Sequence, residues 1–133
     1  MPSPIAHVAA GAALYWVGRR YVTASPPERI GPLPALALVT VGFSLLPDMD
    51  SLVGLVAGDF GRFHNNLTHS VVAGAAASTL FATLITWYGR GRFRYWFAAA
   101  FTAYLLHILM DSATIGRGVM AFWPFTSDRY QFP

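Results

Sequence analysis

Four apolar runs alternate with short polar linkers along this chain, and the alternation limits the folds open to it. The runs predict helices over about residues 4–18, 34–46, 69–88 and 93–110. A helix needs ~20 residues to cross the hydrocarbon core of a bilayer, and the later two runs come close to that length. Charged residues make up only 11% of the chain, about half of their usual share in soluble domains. The sequence therefore predicts an all-α integral membrane protein, with residues 1–133 as a single membrane-embedded helical domain.

The arginines indicate which helix ends share one side of the membrane. All nine basic residues are arginine, and six lie in the first and third linkers: Arg19, Arg20, Arg29, Arg90, Arg92 and Arg94. Arginine-rich linkers stay in the cytoplasm, so both termini are expected outside, in an up-down-up-down four-helix bundle. Because these arginines do not lie along one helix face, the expected partner is the lipid bilayer and not a nucleic acid.

The histidines and several acids are predicted to meet at the other end of the bundle. The set contains all four histidines and three of the six acids: His7, Asp48, Asp50, His64, His69, His107 and Asp111. Ionisable residues are costly within a membrane and by default mark a functional site. His107 and Asp111 are four residues apart and therefore share a helix face. The pattern predicts that these seven residues bind divalent metal.

Each of these residues also has a simpler explanation when it is taken alone. His7 could be an ordinary interfacial residue, and two aspartates after a proline often form a turn. His107 and Asp111 could be a buried hydrogen-bonded pair. These explanations would have to hold separately for seven residues at one end of the bundle, so metal binding is the better interpretation.

The ligand types and their number indicate the metal. Imidazole and carboxylate ligands together suit zinc, manganese or iron. Seven ligands exceed the four of one tetrahedral site, so two ions bridged by carboxylates are expected. Pro47 is expected to end the second helix, which would place Asp48 and Asp50 just past its C-terminus, before a loop over residues 51–67. These two aspartates are the catalytic candidates, as bridging ligands or as the general base.

At these residues the chain resembles the YdjM-like family of membrane-bound, metal-dependent hydrolases. That family shows an early histidine, an LPDxD segment, a THS segment, and HxxxDxxT before a Trp-Pro pair. This chain matches it, nearly end to end and in order, with His7, LPDMD at 46–50, HNNLTHS at 64–70, HILMDSAT at 107–114 and Trp123-Pro124. One departure is Asn65, where the family commonly has arginine. The resemblance implies a metal-dependent hydrolase of a bacterial or archaeal plasma membrane, with a more distant likeness to zinc-dependent phospholipase C.

The leading hypothesis for function is hydrolysis of a phosphoester, probably of a lipid, by water activated by zinc or manganese. The site would open at the extracytoplasmic face, at the depth of the lipid headgroups. The alternative is a non-catalytic metal-binding membrane protein, such as a sensor or an assembly factor. A metal transporter ranks last, because it needs polar residues at mid-membrane, where the third and fourth helices offer only hydroxyl groups.

Overall fold

The computed structural model of the chain describes residues 3–23, 33–58 and 65–132, without the side chains of residues 21–23. Four long helices and one short helix lie in these ranges: α1 Pro4–Thr23, α2 Leu33–Leu45, α3 Met49–Val56, α4 Val71–Trp87 and α5 Phe93–Ser112. Two 3-10 turns, Leu46–Asp48 and Leu67–His69, precede α3 and α4. The described ranges contain no β-strand, and only a single bridge joins Val119 to Tyr130. The prediction of an all-α protein is therefore confirmed.

The helix that follows the LPD segment was not predicted. Instead of a loop, the 3-10 turn Leu46–Asp48 leads directly into α3. Pro47 lies in the first turn of that 3-10 helix, where its missing N–H leaves no hydrogen bond unmade. Asp48 is the N-cap residue of α3 and Asp50 is in its first turn. The two aspartates therefore open a helix, whose N-terminal dipole favours negative charge, and the expectation of an unfavourable helix C-terminus is wrong.

The start of α4 also differs from the prediction. Thr68 was the expected cap, but the side chain of Ser70 accepts a hydrogen bond from the backbone N–H of Ala73 at 3.1 Å. Ser70 is thus the N-cap, and Thr68 and His69 belong to the preceding turn. This leaves the hydroxyl of Thr68 available for a different contact, described below.

Helix α5 is the central packing element, because it contacts α1, α2 and α4. Its residues Trp96 and Ala100 pack with Val39 and Ala82 in one apolar core, and Tyr104 and Ile108 pack with Val119 in a second. The same helix continues into its last turns with His107 and Asp111, both buried. The core of the protein and its polar cluster are therefore successive levels of one helix.

Helices α1 and α2 approach each other closely at Gly11. A Cβ atom at this position would lie 2.6 Å from Ser44 Oγ and 2.7 Å from the carbonyl oxygen of Thr40, so a larger residue would push the helices apart. One turn earlier in α1, the carbonyl oxygen of His7 accepts a hydrogen bond from Ser44 Oγ at 2.9 Å. This contact places His7 beside the end of α2, next to Asp48.

Helix α2, the 3-10 turn and α3 together form one apolar run, Leu33–Val56, of 24 residues. Within the part of the chain that the structure describes, this is the run with both the length and the composition to cross a membrane. Helix α4 is apolar but shorter, with 17 residues. Helices α1 and α5 have 20 residues each and carry arginines at the same end of the protein.

Candidate metal centre

Three separate segments bring four potential ligands together. The turn Leu46–Asp48 supplies Asp48, the turn Leu67–His69 supplies His69, and the last turns of α5 supply His107 and Asp111. One nitrogen or oxygen atom of each lies within 4.8 Å of those of the other three. We call Asp48, His69, His107 and Asp111 the four-ligand group.

The spacing within the four-ligand group matches a coordination shell. His69 Nε2 is 3.1 Å from His107 Nε2 and 3.1 Å from Asp111 Oδ2, and His107 Nε2 is 3.5 Å from that same oxygen. Asp48 Oδ1 is 3.7 Å from His69 Nε2 and 3.6 Å from His107 Nε2. Ligands at about 2.0–2.1 Å from a tetrahedral zinc ion are about 3.3–3.4 Å from one another. The group therefore already has the dimensions that such an ion requires.

Both histidines of the group are oriented by their second ring nitrogen. His107 Nδ1 is 2.7 Å from the carbonyl oxygen of Ser44, which can only accept, so Nδ1 carries the hydrogen. His69 Nδ1 is 3.3 Å from Asp50 Oδ2. Metal-binding histidines are typically held in this way, by a carbonyl or a carboxylate at the other nitrogen. The two Nε2 atoms, which face each other, then need a cation between them, either a proton or a metal ion.

The charge around His69 favours a cation as well. Burial lowers the pKa of His69, but the carboxylates of Asp111, Asp48 and Asp50 raise it further, to about 10. His69 therefore carries a proton at neutral pH when no metal is bound. A divalent ion would take the place of the proton on Nε2.

Access to the four-ligand group is through Asp48. The side chain of Asp48 is 23% exposed, whereas those of His69 and His107 are fully buried and that of Asp111 is 1% exposed. An ion that enters the group would therefore pass Asp48. Water or a substrate would reach the same residue first.

His7 contacts the other oxygen of Asp111. Its ring stacks on that of His107 with centroids 3.8 Å apart, and its Nε2 is 3.4 Å from Asp111 Oδ1. His7 Nδ1 and both oxygens of Asp111 are buried, and no hydrogen bond of ordinary geometry reaches them from the described residues. Buried polar atoms without such a bond indicate an additional partner, for which a cation would be suitable.

The structure thus separates the seven predicted ligands. Four form the four-ligand group, His7 lies against Asp111, and Asp50 lies on the Nδ1 side of His69, away from the group. The seventh, His64, is outside the described residues.

Sequence reasoning did not identify Ser44 as part of this centre. Its carbonyl holds His107 and its hydroxyl holds the backbone of His7, so it connects α2 with α5 and α1. The available signal was a polar residue within an apolar helix, four positions before Asp48.

The comparisons with known proteins agree with the motifs. The family model described as YdjM inner membrane protein matches residues 1–133. The chain belongs to the YdjM family. The resemblance inferred from the motifs is therefore confirmed, and the chain is a member of a family of inner membrane proteins.

One relative of this YdjM family member is Inner membrane protein YbcI of Escherichia coli (strain K12). The two are 34% identical over 107 residues, which are 75% of this chain and 60% of YbcI. The chain thus spans less than two thirds of the length of that relative. No solved structure matches the chain.

Proposed function

We propose that the chain is a membrane-bound, metal-dependent hydrolase that cleaves a phosphoester, with a lipid as the preferred substrate class. The observation that carries the proposal is the four-ligand group, in which two Nε2 atoms and two carboxylate oxygens have tetrahedral spacing. Membership of an inner membrane protein family supports a substrate that is itself in the membrane.

The four long helices would form an up-down bundle in the bilayer. Arg19 and Arg20 end α1, and Arg92 and Arg94 begin α5, so both helices have their arginines at the end opposite the four-ligand group. Basic residues next to membrane helices favour the cytoplasmic side. This supports a site that opens at the extracytoplasmic face, where headgroup phosphates of that leaflet lie at its own depth.

The proposed roles follow from position and exposure. A bound zinc or manganese ion would supply Lewis acidity and a water molecule of lowered pKa. His69, His107 and Asp111 would hold the ion, since they are buried and oriented. Asp48 would serve as the general base, because it is the member of the group that water can reach. Asp50, whose Oδ2 faces His69 Nδ1, is better suited to orienting that ring than to catalysis.

A second ion would bind on the side of His7. Asp111 presents Oδ2 to the four-ligand group and Oδ1 to His7 Nε2, so its carboxylate could bridge two ions. Paired ions of this kind stabilise both the attacking and the leaving oxygen in phosphoester hydrolysis.

The test is metal content followed by turnover. We expect purified protein to contain about one to two equivalents of zinc or manganese, and His107→Ala to lose most of it. Metal-loaded protein should release phosphate or a phosphorylated headgroup from short-chain phospholipids or lipid phosphates, and a chelator should stop the release. A folded protein with less than about a tenth of an equivalent of metal would contradict the centre itself.

A non-catalytic metal-binding protein is the second candidate, and the burial of the site favours it. Four protein ligands fill a tetrahedral shell, as in structural zinc sites, whereas catalytic sites keep one position for water. Metal-loaded protein without turnover on a broad phosphoester panel would support a sensor or an assembly factor. Manganese in the site distinguishes the two further, because its effect on water proton relaxation reports a bound, exchanging water.

A further inference from the structure

Tyr104 lies on the same face of α5 as two ligands, but it does not reach the four-ligand group. It precedes His107 by three residues and Asp111 by seven, and it is 2% exposed. Its hydroxyl donates a hydrogen bond to the carbonyl oxygen of Thr68, in the 3-10 turn that carries His69. Gly74 makes this possible, because a Cβ atom there would lie 2.6 Å from Cδ1 of the Tyr104 ring.

Thr68 continues the connection towards His69. Its hydroxyl donates to Asp50 Oδ2 at 2.7 Å, and its Oγ1 lies 3.3 Å from His69 Nδ1. The single hydroxyl proton is used for Asp50, so Thr68 Oγ1 can accept from the Nδ1–H of His69. Asp50 Oδ2 is also 3.3 Å from Nδ1, so this hydrogen has two acceptors.

We propose that Tyr104 and Thr68 are positioning residues of the metal centre. Tyr104 fixes the backbone of the turn, and Thr68 fixes the carboxylate of Asp50. Together they hold the His69 ring with hydrogen on Nδ1 and with Nε2 towards the four-ligand group. The inference rests on the metal centre proposed above.

His69 needs this support more than His107 does. His107 lies inside the long helix α5, and its Nδ1 is held by a backbone carbonyl at 2.7 Å. His69 lies in a turn of three residues, and its Nδ1 is held by two side chains at 3.3 Å. Partners of this kind typically contribute 10- to 100-fold, in round terms about two orders of magnitude at most, to metal affinity.

The test compares variants that lose one hydroxyl with matched variants elsewhere in α5. Tyr104→Phe and Thr68→Val should bind Co²⁺ about 10- to 100-fold more weakly than wild type. Their visible Co²⁺ absorption should also change, since it reports the ligand geometry. Tyr95→Phe and Thr102→Val, which remove the same groups away from the centre, should resemble wild type. Thr68→Ser keeps the hydroxyl and should restore both the affinity and the spectrum.

The outcomes separate this inference from the proposed centre. A purely structural role would lower the melting temperature of the metal-free protein while leaving the Co²⁺ affinity and spectrum unchanged, and would overturn the inference. Variants that match the controls in all three measurements would overturn it as well. Wild-type protein that binds no Co²⁺ would contradict the metal centre itself, and the positioning role would be rejected with it.

Discussion

Replacing Asp111 with asparagine should abolish tight metal binding while preserving the shape of the side chain. The carboxylate of Asp111 is buried and faces three imidazoles, at 3.4 Å from His7 Nε2, 3.1 Å from His69 Nε2 and 3.5 Å from His107 Nε2. Asp111→Asn removes the negative charge and replaces one oxygen with an NH₂ group, which cannot bind a cation. Loss of an outer partner of a ligand costs about 10- to 100-fold in affinity, so loss of a ligand should cost at least about 100-fold. That corresponds to about 2.8 kcal/mol.

The assay is a competition for zinc between the purified protein and a chromophoric chelator. Asp128→Asn is the matched control, because Asp128 is an exposed carboxylate in the C-terminal segment that accepts a hydrogen bond from Thr126 at 2.7 Å. The control should bind zinc as wild type does. The reasoning is refuted if folded Asp111→Asn binds zinc within about threefold of wild type, since the central ligand would then contribute almost nothing.

Three further predictions concern packing, protons and sidedness. Gly11→Ala should lower the free energy of unfolding by about 1–3 kcal/mol, because the added Cβ meets the backbone of α2, whereas Gly42→Ala, where no atom lies within 4 Å, should not; melting in detergent compares them. Zinc binding at neutral pH should release about one proton, since the pKa of His69 is about 10 without metal, and calorimetry in buffers of different ionisation enthalpy measures it. Below that pKa the zinc affinity should rise with pH, and an affinity independent of pH would contradict this assignment. The chain has no cysteine, so a membrane-impermeant maleimide should label Ile115→Cys in intact cells and Tyr88→Cys only after lysis; the reverse pattern would place the site in the cytoplasm.

The helices could be predicted because their cause is visible in residue types. Apolar runs separated by arginine, glycine and proline indicate where each long helix lies, and all four long helices are present in the structure. Helix α3 was missed because Pro47 was read only as the end of a helix. Proline also fits the first turn of a helix, and here it ends α2 and begins the next helical segment.

The members of the site could be proposed from sequence, but their individual roles could not. The order of the helices and the arginines indicated which polar residues share one end of the protein. The separation of ligand from supporting residue depends on backbone carbonyls, such as that of Ser44, which carry no signal in the residue type. The position of His7 depends on how closely α1 approaches α2 at Gly11, which sequence spacing alone does not determine.

The number of bound ions connects the structure of the centre to its function. With neutral histidines, the three carboxylates of Asp48, Asp50 and Asp111 give this buried region a formal charge of −3. One divalent ion would leave it at −1, which would repel the phosphate of a substrate, whereas two ions would bring it to +1 and attract that phosphate. A centre with one ion therefore fits the closed, non-catalytic role, and a centre with two ions, with Asp111 between them, fits the hydrolase. Metal stoichiometry and phosphoester turnover should consequently rise together as a second equivalent is added, and turnover already complete at one equivalent would exclude the two-ion mechanism.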